Sequence, residues 1–172
     1  MNSQVLHNLF ETFHDFDLVE LDQSGFDLSI KFKCDWNEMN VEREPRMTFK
    51  FIFKDCEIIE FEYFVFIGAK NDHDKEEVET FKIKDYKKIV EADIYFNRFE
   101  KIDDQYWFYC IGNQETNDIG GGTVKFKFNT DQFKIFDFNN QELKIDEYHK
   151  LCNDWWSFLY NQHRNRTITK NK

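Results

Sequence analysis

The sequence has little of what breaks, staples or anchors a chain. One proline, Pro45, and six glycines stand among 172 residues, with 33% charged residues. Such a composition excludes a linker-rich or compositionally disordered protein. The four cysteines, Cys34, Cys56, Cys110 and Cys152, show no C-x-x-C spacing. Nothing in Met1-Asn-Ser-Gln4 resembles the basic start of a secretory signal, and no apolar run approaches the roughly 18–20 residues that span a bilayer. These absences predict a cytoplasmic protein with no membrane partner, whose thiols stay reduced and act mostly as small buried hydrophobes. Basic residues are also short, 23 against 33 acidic, for a net charge of −10 and a pI near 5.0. Phosphate recognition needs a basic face, so the charge argues against nucleic acid as a direct partner. Acidity favours solubility, a cationic ligand or a basic protein partner.

What is abundant is aromatic. Twenty-one phenylalanines, each able to bury about 150–250 Å², can fill the core of one domain of this size. The stretch from Met47 to Ile67 organises the rest. Phe49, Phe51 and Phe53 alternate with Thr48, Lys50 and Lys54, which puts the three rings on one face of a strand. Beyond Asp55-Cys56, the run places Ile59, Phe61, Tyr63 and Val65 on one face and Ile58, Phe64 and Phe66 on the other. The expectation is a central hairpin whose second strand is covered on both sides for part of its length.

Around it, residues 3–13 read as a short helix capped by Ser3, with Val5, Leu6, Leu9, Phe10 and Phe13 on one face. A strand opens at Phe16 and Leu18, Asp22 to Gly25 reads as a turn, and Phe26, Leu28, Ile30 and Phe32 form the buried face of a second strand. Val78 to Lys84 reads as a strand. Residues 85–100 fit helix and strand about equally, with the later half read as strand. Tyr106 to Ile111 is dense enough for a strand buried on both faces, and Gly112 to Gly122 reads as a polar loop. Phe133 to Phe138 is expected to pair back on the strand of Val124, Phe126 and Phe128. Asp146 can cap a terminal helix with the stripe Tyr148, Leu151, Cys152, Trp155, Phe158 and Leu159.

This order predicts an α+β fold: a mainly antiparallel curved sheet or half-barrel with a short N-terminal helix and an amphipathic C-terminal helix. A closed barrel is the alternative. Residues 1–160 are expected to form a single β-rich domain, and residues 161–172, with Arg164, Arg166 and Lys170, a frayed tail.

No stretch carries a convincing catalytic set. His14 and Asp15 bring an imidazole and a carboxylate together in sequence, but neighbours on an extended strand point to opposite faces, so a hydrogen-bonded structural corner is the better reading. Asp72, Asp74, Glu76 and Glu77 crowd one loop without the glycine and spaced glutamate of a calcium loop, and are read as a solvated charge run or an acidic contact patch for a basic partner. Gly120-Gly121-Gly122 lacks the lysine and helix of a phosphate loop. Trp156 lies at the edge of the terminal helix's stripe and is a candidate partner contact. No metal or cofactor site is expected.

The segment Leu9-Phe-Glu-Thr-Phe-His-Asp-Phe-Asp-Leu-Val-Glu-Leu21 resembles the start of small bacterial immunity proteins of polymorphic toxin systems. Phe13, His14 and Asp15 match a Phe-His-Asp corner of those proteins, Phe26 to Phe32 a second strand, and Glu44 to Phe53 a glutamate before an alternating strand. The likeness spans about residues 9 to 66. It implies a non-enzymatic protein that binds and blocks a cognate toxin, and a basic toxin would suit the charge. Two other readings compete: a container for an apolar small ligand within an aromatic sheet or barrel, and a hydrolase or metalloenzyme built on His14 and Asp15.

Overall fold

Phe49, Phe51 and Phe53 are all buried on one face of a strand, as their spacing dictates. The computed structural model describes residues 3–14, 16–33, 47–66, 78–112 and 119–170, apart from the side chains of 3, 66, 159 and 162–170. In chain order the elements are α1 (Ser3–Glu11), β1 (Phe16–Ser24), β2 (Asp27–Lys33), β3 (Thr48–Phe53), β4 (Cys56–Phe66), β5 (Val78–Ile83) and α2 (Tyr86–Glu91). There follow β6 (Ile94–Ile102), β7 (Gln105–Gly112), β8 (Ile119–Phe128), β9 (Phe133–Phe136), β10 (Glu142–Leu143) and α3 (Ile145–Lys170). The fold is α+β, with one antiparallel ten-stranded sheet in the order β10-β9-β3-β2-β1-β6-β7-β8-β4-β5. Among the described residues it does not close: β10 and β5 are its two edges.

The sheet has a waist. Among the described residues β1 and β6 share only the pairs Phe16↔Phe96 and Asp17↔Tyr95. On either side lie five strands, and the two halves turn their apolar faces toward each other. Phe53 of β3 meets Phe128 of β8 at 5.0 Å, and Phe32 of β2 meets Phe96 of β6 at 5.3 Å, edge to face. Helix α1 fills the concavity. Its Phe10 touches Tyr106, Phe108 and Phe128 at 5.0, 4.8 and 5.2 Å, while Phe13 contacts Phe32 and Phe51 at 4.5 and 4.9 Å. Helix α2, capped by the Asp85 carboxylate accepting from the Lys87 N–H, buries Ile89 and packs on β1.

Several sequence expectations are corrected. β3 and β4 do not form a hairpin: both edges of β3 are taken, by β2 and β9, and those of β4 by β5 and β8. Lys54-Asp55 instead carries the chain from one half of the sheet to the other. Asp55, at φ 47, is left-handed, and the Asp55 carbonyl accepts from the Asn129 N–H at 2.8 Å. The same crossing separates β8 from β9, which pairs with β3 and β10 and not with β8. Alternation fixes which face a residue occupies; it carries no information on which strand lies alongside.

The faces of β4 also differ. A bulge between Ile58 and Glu60 turns the strand, so that Ile58 shares the buried side with Phe61 at a spacing of three. Phe26 sits in the β1–β2 turn, 80% exposed, outside the buried row it was expected to join. β7 is buried on one face only, through Tyr106, Phe108 and Cys110. The glycine run belongs to β8, and Asp146 falls inside the first turn of α3, whose start is closed by the Glu147 carboxylate accepting from the Lys144 N–H at 2.8 Å.

Candidate interaction surface

The outward face of the half-sheet β6-β7-β8-β4-β5 carries the most organised set of polar and aromatic side chains. Because Tyr106 and Phe108 point inward, Trp107 and Tyr109 point outward. On β6 the register shift between Phe96 and Arg98 sets Arg98 opposite Tyr109, and the guanidinium lies 4.3 Å from that ring's centre. The Tyr109 hydroxyl donates to Glu100 at 3.0 Å. Burial, then the Glu100 carboxylate, pushes the Tyr109 hydroxyl above its ordinary pKa.

Across β8 the pattern continues. Lys125 Nζ sits 4.2 Å over the Trp107 ring and 2.6 Å from Glu60 Oε1. Its hydrogen bond is the main reason the Glu60 carboxyl lies below its usual range. Lys82, on the edge strand β5, reaches Glu62 at 3.0 Å and Glu60 at 3.3 Å, and those hydrogen bonds raise its pKa. The result is a ladder, Arg98–Tyr109–Trp107–Lys125–Glu60–Lys82, that holds tryptophan, tyrosine and arginine in fixed positions on a sheet. These are the residue types that anchor protein interfaces.

The sequence reading missed this face, because it took β7 as buried on both sides. The available signal was the alternation of Trp107 and Tyr109 with Tyr106 and Phe108, matched by Lys125 and Lys127 on the next strand.

Of the residues singled out from sequence, the structure describes His14 and Trp156. His14 is exposed in the turn after α1, where Phe13 and Phe16 N–H groups bond back to Phe10 and Phe13 carbonyls at 3.0 and 3.1 Å. It lines a cleft of about 210 Å³ with Glu11, Asn97 and Arg98 above Phe10, Phe96, Phe99 and Phe108. Asp15, Asp72, Asp74, Glu76 and Glu77 lie outside the described residues, as does Cys34. Trp156 is half-buried on α3, far in sequence from the ladder. Cys56, Cys110 and Cys152 are free and buried.

Among the described residues no group of three or more His, Cys, Asp or Glu side chains is placed to hold a metal ion, and no helix is long and apolar enough to cross a membrane. Comparison with known proteins returns no matching family model, no matching curated protein and no matching solved structure.

Proposed function

We propose that this chain is a non-enzymatic binding protein of the immunity type, which occludes a basic toxin or another basic protein partner. One observation carries the reading: six lysines on or beside the sheet are paired with carboxylates of the same chain. Lys31, Lys82, Lys125, Lys127 and Lys134 each lie within 2.6–3.3 Å of a carboxylate, and Lys54 pairs with Asp27. With these cations paired, the chain's excess of acidic residues, 33 against 23 basic, favours a partner of opposite sign. The Trp107–Tyr109–Arg98 face would supply the anchors, and Asp72, Asp74, Glu76 and Glu77, which precede β5 in sequence, the steering charge. The concavity of the sheet is filled by Phe10 and Phe13, which supports surface recognition over storage of an apolar ligand inside the sheet.

The test is capture of partners on the immobilised protein at low and then high salt, beside a Trp107→Ala variant. The expected result is one basic protein that salt releases and that the variant holds at least about tenfold less tightly, a loss of about 1.4 kcal/mol. Binding that ignores salt, or no bound protein even when a toxin encoded beside this chain is supplied, would count against the proposal.

A further inference from the structure

In the half-sheet that holds β1, β2 and β3, Lys31 of β2 stands directly opposite Lys50 of β3. Their neighbours Ile30, Phe32, Phe49 and Phe51 are buried on the inner face, so both lysines lie on the outer one. Like charges held opposite each other across a strand pair work against the sheet. Lys31 is offset by Glu20, to whose Oε1 it donates at 2.6 Å. Lys50 has no ion-pair partner among the described residues.

Both lysines line a cleft of about 330 Å³, a volume at the lower end of small-molecule sites. Lys50 pairs with Phe136, which brings the turn between β9 and β10 beside it. That turn is held by the Asp137 carboxylate, which accepts from the Asn139 and Gln141 N–H groups at 2.9 and 2.8 Å. The acids of the cleft are therefore engaged, Glu20 by Lys31 and Asp137 by the amides of its own turn. What remains unused is a set of donors. Lys50 Nζ is joined there by the Thr48 hydroxyl and the Asn140 side-chain amide, neither of which has a partner among the described residues. Phe138, 42% exposed, adds an apolar ring to the same cleft.

We propose that this cleft binds a small aromatic acid, with its carboxylate or phosphate on Lys50, Thr48 and Asn140 and its ring against Phe138. The bound anion also relieves the repulsion between Lys50 and Lys31. The site lies in the half of the sheet away from Trp107 and Tyr109, so it is independent of the partner-binding face.

The full chain is titrated with phenyl phosphate, benzoate and inorganic phosphate and followed by amide NMR. Both ring acids should bind saturably at roughly 0.1–1 mM, shifting the amides of Thr48, Lys50 and Asn140, and inorganic phosphate at least about fivefold more weakly. The tighter of the two ring acids identifies the anion as phosphate or carboxylate. Lys50→Met keeps the aliphatic stem and removes a like-charge contact, so the free chain should lose no stability. Its affinity for both ring acids should fall at least about tenfold. Phe138→Ser should bring phenyl phosphate down to the affinity of inorganic phosphate. Lys82→Met, on the other half-sheet, should change nothing. Absence of a saturable shift up to about 10 mM overturns the proposal, as does binding indifferent to Lys50→Met. An equal loss in Lys82→Met would reduce the effect to overall charge and overturn it too. Equal affinity of the wild type for phenyl phosphate and inorganic phosphate overturns the part given to the ring.

Discussion

The hydroxyls of Thr12 and Tyr148 lie 2.6 Å apart although 136 residues separate them in the chain. Thr12 Oγ1 also donates to the Leu9 carbonyl at 2.6 Å, which spends its one proton, so the Tyr148 hydroxyl is the donor between the two. The bond ties the turn that follows α1 to the start of α3, over the rings of Phe49 and Phe51. Tyr148→Phe leaves Thr12 one partner short in a part-buried site and should cost about 1 kcal/mol, as should Thr12→Val. In a double-mutant cycle by urea unfolding the two losses should couple by about 0.5 kcal/mol or more. Strict additivity would show that the helices are held by packing alone.

Tyr106 makes the opposite case. It is 1% exposed, and its hydroxyl has no hydrogen-bond partner among the described residues. Burial accordingly raises its pKa. An unpaired buried donor costs about 1–3 kcal/mol, so deleting it while keeping the ring that Phe10 and Phe128 contact should stabilise the fold. Tyr106→Phe is expected to raise the unfolding free energy by roughly 0.5–2 kcal/mol. A loss of stability of that size would mean the hydroxyl is satisfied in solution.

Gly122 and Gly25 should respond to alanine for different reasons. A Cβ at Gly122 would lie 2.3 Å from the Glu62 carbonyl oxygen and 2.8 Å from the Tyr63 Cα, both backbone atoms of the paired strand. β4 and β8 would have to separate there, and Gly122→Ala should cost roughly 1–3 kcal/mol or prevent folding. Gly25, at φ +63, has nothing within 4 Å of such an atom. There the cost is backbone alone, about 1–2 kcal/mol for alanine and less for asparagine. Thermal melts of Gly122→Ala, Gly25→Ala and Gly25→Asn should rank in that order of damage. Equal damage from the two Gly25 variants would remove the conformational explanation.

The α+β class, the half-barrel form and most strand positions were legible because alternation of Phe, Ile and Leu with Lys and Glu is a local signal. Leu28, Ile30 and Phe32 needed only their spacing to be placed on the inner face. Neighbours were not legible. The β3–β4 and β8–β9 connections look like hairpins, and what prevents it is that β3 finds β9, about 80 residues away, through Phe53↔Phe133 and Phe51↔Ile135. The Trp107–Tyr109 face was hidden because six consecutive residues from Tyr106 to Ile111 are apolar or aromatic, which periodicity alone cannot divide into inside and outside. The apolar stripe of α3 was legible from its spacing. Which part of it the sheet covers depends on where the helix docks, and that is set by Tyr148 and its bond to Thr12.

The buried thiols make a prediction for alkaline pH. Burial pushes Cys110 up to about 12, against backbone hydrogen bonds from Gly122 and its own N–H that lower it, and Cys152 up to about 11. Cys56 is raised as well, by burial and then by Glu57. The ordinary thiol value is 9.0, so the folded chain holds these protons more tightly than the unfolded one. For groups raised in the folded state, the stabilisation is fully present below pH 9 and is lost as pH climbs through the folded values. Unfolding free energy should therefore be insensitive to these groups from pH 7 to 9 and fall between about pH 9 and 12. Cys152→Ala removes one contributor, and its decline between about pH 9 and 11 should be shallower than that of the wild type, whatever the offset at pH 7. Below pH 9, native Cys56, Cys110 and Cys152 should resist iodoacetamide while the urea-unfolded chain is alkylated at all three. Parallel decline in variant and wild type, or rapid alkylation of native Cys152, would show that this thiol is reached by solvent in the folded protein.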